Sequence, residues 1–229
     1  MAEGLTLRVA VKALRSHYGK PEPLPTADPF ELVLWDNVAY LAPPARRREA
    51  FALLRSSIGT TPKAILNATG AALGQVTSKG ILKASFAVKL RECAHIALAD
   101  FGGDVKAVVR RPLDEAKRAL RSFPGIGEPG AEKILLFSGR HALLAPDSNA
   151  LRVLVRLGLV SEGSSYARTY AAARTAAEDL PPDVGIVQEA HLLLQHHGQT
   201  LCKRSAPLCA ACPLEDRCAY ARPKNRRRR

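Results

Sequence analysis

The sequence lacks the patterns that would place it in or across a membrane. No stretch approaches the roughly eighteen consecutive apolar residues that a membrane-spanning helix needs. The N-terminal residues Met1 to Thr6 carry no basic region followed by an apolar segment, as an export signal would. We therefore expect a cytoplasmic, nucleoid-associated protein without a membrane partner.

Strand-like alternation and internal repeats are also missing. Apolar residues recur at helical spacing instead, as Leu7, Val11 and Leu14 do within the segment from Leu5 to His17. Asp28 and Pro29 form an N-cap and first helical position, which predicts an apolar helix from there to Leu41. Further helices are predicted over 148–157, 166–180 and 184–197. The pattern indicates an all-α protein.

Acidic residues are scarce relative to basic ones. The chain has 21 Asp and Glu against 34 Lys and Arg, a formal net charge of +13 and a sequence pI near 9.9. Such an excess favours a polyanionic partner, although a basic solvated surface alone would give the same numbers. The tail 223–229 carries the same charge and is expected to be disordered and to bind without selectivity.

A glycine-rich break separates two predicted helices in the stretch from Leu120 to Val153. The break is Phe123-Pro124-Gly125-Ile126-Gly127, and Pro124 ends the first helix. Glycines permit positive φ and leave no Cβ against an approaching group. The next helix then begins with outward-facing N–H groups, which suit a nucleic-acid phosphate. An ordinary corner between two helices is the alternative.

Four of the five cysteines lie together near the C-terminus. Cys202, Cys209, Cys212 and Cys218 have the spacing C-x6-C-x2-C-x5-C. In a chain without an export signal such thiols stay reduced, so metal ligation explains them better than disulfides. Zinc and a [4Fe-4S] cluster both accept four thiolates, and spacing alone leaves both open. Cys93 stands alone on an apolar stripe and is predicted to be a core residue.

Together these features resemble the endonuclease III superfamily of DNA glycosylases. The hairpin, the apolar helix after it and Asp147 within Ala-Pro-Asp-Ser-Asn match that superfamily's helix-hairpin-helix, Gly/Pro-rich loop and aspartate. The cysteine spacing after His197-Gly198 resembles its [4Fe-4S] loop, whose role there is structural. The resemblance implies an all-α, two-domain helix-hairpin-helix glycosylase fold. Residues 22–141 would form a helical barrel domain, and 1–21 with 142–222 an iron-sulfur domain, with DNA bound in the cleft between them.

The resemblance also implies roles for individual residues. Asp147 would be the anion beneath the deoxyribose, because breaking an N-glycosidic bond builds positive charge on the sugar. Asp36 aligns with the glutamate with which adenine-specific mismatch glycosylases protonate the departing purine, and an apolar helix would keep it protonated. A purely structural Asp36 is the alternative. Residues expected to contact DNA through the hairpin or as a wedge are Gly125, Ile126, Gly127, Gly130 and Leu41. Residues expected to line the base pocket are Trp35, Asn37 and Tyr40.

One position departs from the superfamily's bifunctional members. Their lysine, which forms a Schiff base with the sugar, corresponds to Pro129. Lys133 and Lys117 are the nearest amines and would need a different geometry. We therefore expect a monomeric base excision repair glycosylase without β-lyase activity, acting on duplex DNA with a flipped base, and we favour a purine substrate. The alternatives are a glycosylase for damaged or mismatched pyrimidines and a catalytically silent DNA-binding protein.

Overall fold

The computed structural model describes residues 5–39 and 41–222, which form helices joined by turns and loops, with no strand among them. None of the helices in these ranges is long and apolar enough to cross a membrane. The all-α prediction is confirmed. The α-helices are α1 Leu7–Tyr18, α2 Pro29–Asn37, α3 Pro44–Ser57, α4 Pro62–Asn67, α5 Gly70–Thr77, α6 Lys83–Ala99, α7 Val105–Val108, α8 Leu113–Leu120, α9 Glu128–Phe137, α10 Ser148–Leu157, α11 Tyr166–Ala176 and α12 Val184–Thr200.

The chain divides into two compact units. One contains residues 24–140, which we call the hairpin unit, and the other contains the segments before and after it, which we call the cysteine unit. The domain boundaries expected from the sequence, 22–141 against 1–21 with 142–222, stay a prediction. The predicted basic tail 223–229 lies outside the described residues.

Helix α2 is the central element of the hairpin unit. Asp28 caps its first turn by accepting hydrogen bonds from the N–H groups of Phe30 and Glu31. The helix packs against α3, α6, α7 and α9, which explains why it is apolar on nearly every side. The prediction that it continues to Leu41 is wrong. It ends at Asn37, because Leu41 has a left-handed backbone (φ 53) and two prolines follow at 43 and 44.

Helix α12 is the central element of the cysteine unit. It packs against α1 and α10 and extends to Thr200, three residues further than predicted. Its approach to α10 is very close, since a Cβ added to Gly198 would lie 2.6 Å from the carbonyl oxygen of Asn149. Helix α11 ends at Ala176 in a 3-10 turn rather than continuing to Leu180, because two prolines follow that residue.

The hairpin between α8 and α9 has the predicted form, with two differences in detail. Gly125 has positive φ (78), but Gly127 does not, since its φ is −88. The side chain of Ile126 is 5% exposed and packs inward, so this residue offers a partner only its main chain. Gly127 gives α9 no side-chain cap. The first turn of α9 thus lacks the side-chain oxygen that most helices place over their N–H groups.

Asn37 holds this hairpin from the end of α2. Its Nδ2 donates to the carbonyl oxygens of Val33 (3.1 Å) and Pro124 (3.0 Å). Its Oδ1 lies where a Cβ on Gly125 would approach to 2.8 Å. The hairpin conformation therefore depends on an asparagine on one side and a glycine on the other.

We expect Gly125→Ala to lower the free energy of unfolding by about 2 kcal/mol, because it combines left-handed backbone strain with a collision against Asn37. Gly139→Ala is the matched control, since Gly139 has a similar φ (75) and open space around its Cβ position. That variant should lose only about 1 kcal/mol. Urea denaturation of both variants measures the difference, and equal losses would contradict the proposed contact with Asn37.

Candidate functional site

Asp147 is fixed at the start of α10 by hydrogen bonds to both carboxylate oxygens. Its Oδ1 accepts from the N–H groups of Asn149 (2.9 Å) and Ala150 (2.8 Å), as an N-cap does. Its Oδ2 accepts from Nε2 of Gln195 (2.8 Å) and from Nδ2 of Asn149 (3.3 Å). The carboxylate thus has four neutral donors within one structural unit.

This environment determines the charge on Asp147. Burial alone would raise the pKa of its carboxyl group, but the donors from Ala150, Gln195 and Asn149 and the neighbouring His191 outweigh that effect. The pKa of Asp147 is therefore lower than that of an ordinary aspartate. Burial and the charge of Asp147 together raise the pKa of the Tyr166 hydroxyl. The site is built around an ionised carboxylate.

A chain of side chains connects Asp147 with the cysteine-rich loop. Asn149 donates to Asp147 and, through its Oδ1, accepts from Nη2 of Arg152 (3.0 Å). Arg152 in turn donates to the carbonyl oxygens of Cys202 (3.0 Å) and Gly198 (2.7 Å). The position of the carboxylate and the path of the loop are thus linked by direct hydrogen bonds.

The four predicted cysteine ligands all line one cavity. Its volume is about 20 Å³, and Val153, Leu157 and Leu201 contribute apolar walls. Within the described residues, no three His, Cys, Asp or Glu side chains are arranged to hold a single metal ion. The four thiols thus lie around one shared space.

Hydrogen-bond donors surround the sulfur atoms. Nη1 of Arg156 lies 3.5 Å from Sγ of Cys202, and the N–H of Leu214 lies 3.4 Å from Sγ of Cys212. Nε2 of His197 is 3.5 Å from Sγ of Cys212. Donors and a guanidinium are the groups that stabilise thiolates, so these residues fit a cluster with anionic ligands.

Asp36 forms an ion pair with Lys133, which follows Pro129 by one turn of α9. Both side chains are mostly buried, with 12% of Asp36 and 17% of Lys133 exposed. The pair lies beside the hairpin, because a Cβ on Gly130 would come within 3.9 Å of Oδ2 of Asp36. The side chain that the resemblance implies as a proton donor thus lies in contact with an amine.

Lys117 also pairs with carboxylates. It contacts Glu128 and lies 2.9 Å from Glu132, whose side chain is 1% exposed. Burial would lower the pKa of this amine, but the hydrogen bonds and charges of Glu128 and Glu132 outweigh burial and raise it. Lys117 is thus held as an ammonium ion between α8 and α9.

Two of the three predicted pocket residues, Trp35 and Asn37, are buried. Trp35 is 5% exposed and packs edge-on against Phe51 in the core. Asn37 is buried and uses its amide to hold the hairpin, and a pocket role for either residue stays a prediction. Tyr40 lies outside the described residues. Leu41, the predicted wedge, is 67% exposed.

Sequence reasoning missed Gln195 and the ion pair of Asp36 with Lys133. It also missed Ile81 and Leu82, which are exposed at the start of α6, where Leu82 has a left-handed backbone (φ 55). All of these features depend on how distant parts of the chain pack. The sequence does, however, show two adjacent apolar residues directly after Gly80.

We expect the charge of Asp147 to stabilise the fold in a pH-dependent way. Its depressed pKa means that this contribution is present above the unfolded pKa of about 3.9 and is lost as pH falls through the folded value. Asp147→Asn keeps a capping residue but removes the charge. Its deficit in unfolding free energy should be on the order of 1 kcal/mol at neutral pH and should vanish in acid. Urea titrations at several pH values test this, and a constant deficit would contradict it.

No protein-family profile matches the chain. Among curated proteins it is similar to endonuclease III of Sulfolobus acidocaldarius, with 28% identity over 125 residues, 54% of this chain and 53% of the relative. It is also similar to thymine-DNA glycosylase of Aeropyrum pernix, with 25% identity over 198 residues, 85% of this chain and 84% of the relative. The first of the curated relatives are matched over about half of their length.

Solved structures share the fold. A chain of a non-covalent endonuclease III–DNA complex superposes with a TM-score of 0.77 and 19% identity, covering 97% of this chain and 99% of the other. A thermostable thymine-DNA glycosylase gives a TM-score of 0.75 and 17% identity, covering 95% and 97%. The chain therefore has the endonuclease III fold and is similar in sequence to curated proteins named endonuclease III and thymine-DNA glycosylase.

Proposed function

We propose that the protein is a monofunctional DNA N-glycosylase of base excision repair that binds duplex DNA with the target base flipped out. Ionised Asp147 carries the proposal, because hydrolysis of an N-glycosidic bond develops positive charge on the deoxyribose. At about 4 Å and an effective dielectric constant near 20, a fixed carboxylate stabilises such a cation by on the order of 4 kcal/mol. That energy corresponds to roughly three decades of rate.

Monofunctional chemistry follows from the state of the nearby amines. Pro129 has no amine at the position that the superfamily's Schiff-base lysine would occupy. Formation of a Schiff base needs a neutral amine, whereas Lys133 and Lys117 are each paired with carboxylates. Water is thus the nucleophile, and the product is an intact strand with an abasic site.

The ion pair of Asp36 and Lys133 supports a purine substrate, with Lys133 rather than Asp36 as the group that faces the base. It offers one donor and one acceptor side by side next to the hairpin. The Hoogsteen edge of adenine presents the complementary pattern, with the N7 acceptor beside the N6 donor. Asp36 would then orient Lys133, and the ammonium group would face the departing base.

A mismatched thymine or uracil is the second candidate substrate. The observation in its favour is the similarity to thymine-DNA glycosylase along most of both chains. In that case the pair of Asp36 and Lys133 is structural. The third alternative, DNA binding without catalysis, predicts that no base is released from any duplex.

We also propose that Cys202, Cys209, Cys212 and Cys218 hold a [4Fe-4S] cluster. All four thiols line one cavity, where a cluster would give each thiolate its own iron. Their spacing after His197-Gly198 resembles that of the superfamily's cluster loop. Bound there, it would cross-link the loop and fix the basic residues Lys203 and Arg204 within it.

We expect base release without a covalent intermediate. The assay uses duplexes containing adenine opposite 8-oxoguanine, 1,N6-ethenoadenine, G·T or G·U, under single-turnover conditions. Strand breaks should appear only after hot alkali, and borohydride should trap no protein–DNA adduct. Asp147→Asn should retain DNA binding and lose about three decades of rate.

Substitution of Asp36 separates the two substrate classes. In Asp36→Asn, a loss of about three decades in rate on the duplex that the wild type processes supports the purine proposal, whereas a near-normal rate favours the pyrimidine alternative. Trapped adduct in the wild type would contradict monofunctional chemistry, and Lys133→Met and Lys117→Met would then identify the amine.

We expect purified protein to contain about four irons per chain and to show the absorption of a [4Fe-4S] cluster at about 400 nm. Cys212→Ser should lose that absorption together with the iron. Cys93→Ser is the matched control, because Cys93 is a buried core thiol far along the chain from the loop and in the other unit. Stoichiometric zinc without iron after anaerobic purification would overturn the cluster assignment.

A further inference from the structure

The Gln195 side chain is placed against Asp147 by the way α12 packs on α10. Gly198, one turn after Gln195, lets the two helices approach so closely that a Cβ at this position would lie 2.6 Å from the carbonyl oxygen of Asn149. No side chain at that position would fit without separating the helices. The close approach brings Nε2 of Gln195 to 2.8 Å from Oδ2 of Asp147.

Gln195 completes the set of donors around the carboxylate. An ionised carboxylate has about four lone-pair positions. Two are used by the backbone N–H groups of Asn149 and Ala150, and one by the side chain of Asn149. Gln195 uses the fourth, so in this arrangement none remains to take a proton.

The charged and titratable groups around Asp147 come from three helices. Arg152 lies on α10, Tyr166 on α11 and His191 on α12, and each interacts electrostatically with the carboxylate. Gln195 is neutral. It therefore adds a directional contact to Asp147 without cancelling the negative charge.

We propose that Gln195 is a positioning residue that holds Asp147 as a fixed anion, so that Asp147 stabilises the sugar cation and does not act as a base toward water. The inference rests on the proposed glycosylase function. In the reaction the C1′–N bond breaks with its electron pair leaving on the base, and water adds to C1′. The proton released by that water passes to solvent rather than to Asp147.

The first test follows the Asp147 carboxyl signal by carbon NMR during pH titration of the free protein. Gln195→Leu removes the donor at similar size and should raise the titration midpoint by about one pH unit. Gln195→Glu adds a second carboxylate and should raise it further, because two adjacent carboxylates share a proton. Gln199→Leu, the same change one turn along α12, should leave it unaltered.

The second test measures single-turnover rates against pH on the duplex that the wild type processes fastest. The acid limb of the rate profile should move to higher pH in the same order, from wild type to Gln195→Leu to Gln195→Glu. At neutral pH Gln195→Leu should lose about tenfold in rate with DNA affinity unchanged, the effect of one hydrogen bond to a charged group. A wild-type solvent deuterium isotope effect close to one would agree with an Asp147 that takes no proton.

The outcomes distinguish this inference from the proposed function. If the wild type releases no base from any duplex, the glycosylase proposal fails, while the NMR titration still tests the contact. If the wild type is active but all midpoints and acid limbs coincide, the role of Gln195 is wrong. Arg152, Tyr166 and His191 are the same in all variants. Differences between the NMR titrations or between the rate–pH profiles are therefore due to residue 195.

Discussion

The close packing of α10 on α12 is the constraint on which the candidate site depends. A glycine at 198 allows a backbone-to-backbone approach that no other residue permits, since its Cβ would stand 2.6 Å from the Asn149 oxygen. From that approach follow the contact of Gln195 with Asp147 and that of Arg152 with the Gly198 carbonyl. The ionisation of Asp147 and the anchoring of the cysteine loop are therefore two results of one helix contact.

A similar constraint operates in the hairpin unit. Asn37 at the end of α2 and Gly125 in the hairpin fit against each other, with the asparagine amide donating to the carbonyl of Pro124. Asp36, one residue earlier, faces α9 and pairs with Lys133. The end of α2 thus fixes the hairpin backbone through Asn37, and through Asp36 it fixes the ammonium group of Lys133 beside the hairpin.

Local sequence signals predicted those features that local chemistry determines. Asp28 before Pro29 and Asp147 before Ser148 cap helices because a carboxylate next to free N–H groups is favourable wherever the helix packs. The closely spaced cysteines share a cavity because a loop of that length keeps their thiols near one another. Helix ends were predicted less well. Leu41 fits an apolar helical pattern, and only the prolines at 43 and 44 oppose that reading.

Features that join distant segments could not be read from the sequence. Lys133 is 97 residues from Asp36, and no periodicity relates them. Gln195 lies in a predicted helix whose register on α10 depends on the fit at Gly198. The sequence predicts that Asn37 lines a pocket, because a polar side chain in an apolar helix suggests function. Its buried amide satisfies the main chain of the hairpin.

The pairing of both lysines connects the fold with the chemistry. Lys117 is held between α8 and α9 by Glu128 and by buried Glu132, so moving it to a sugar would break its ion pair with a carboxylate in the core. Lys133 is held by Asp36 beside the hairpin in the same way. Pro129 is thus accompanied by two nearby lysines, each of which is held in an ion pair with a carboxylate. A nucleophilic role for either would require breaking an ion pair before the reaction begins, whereas water needs no such step.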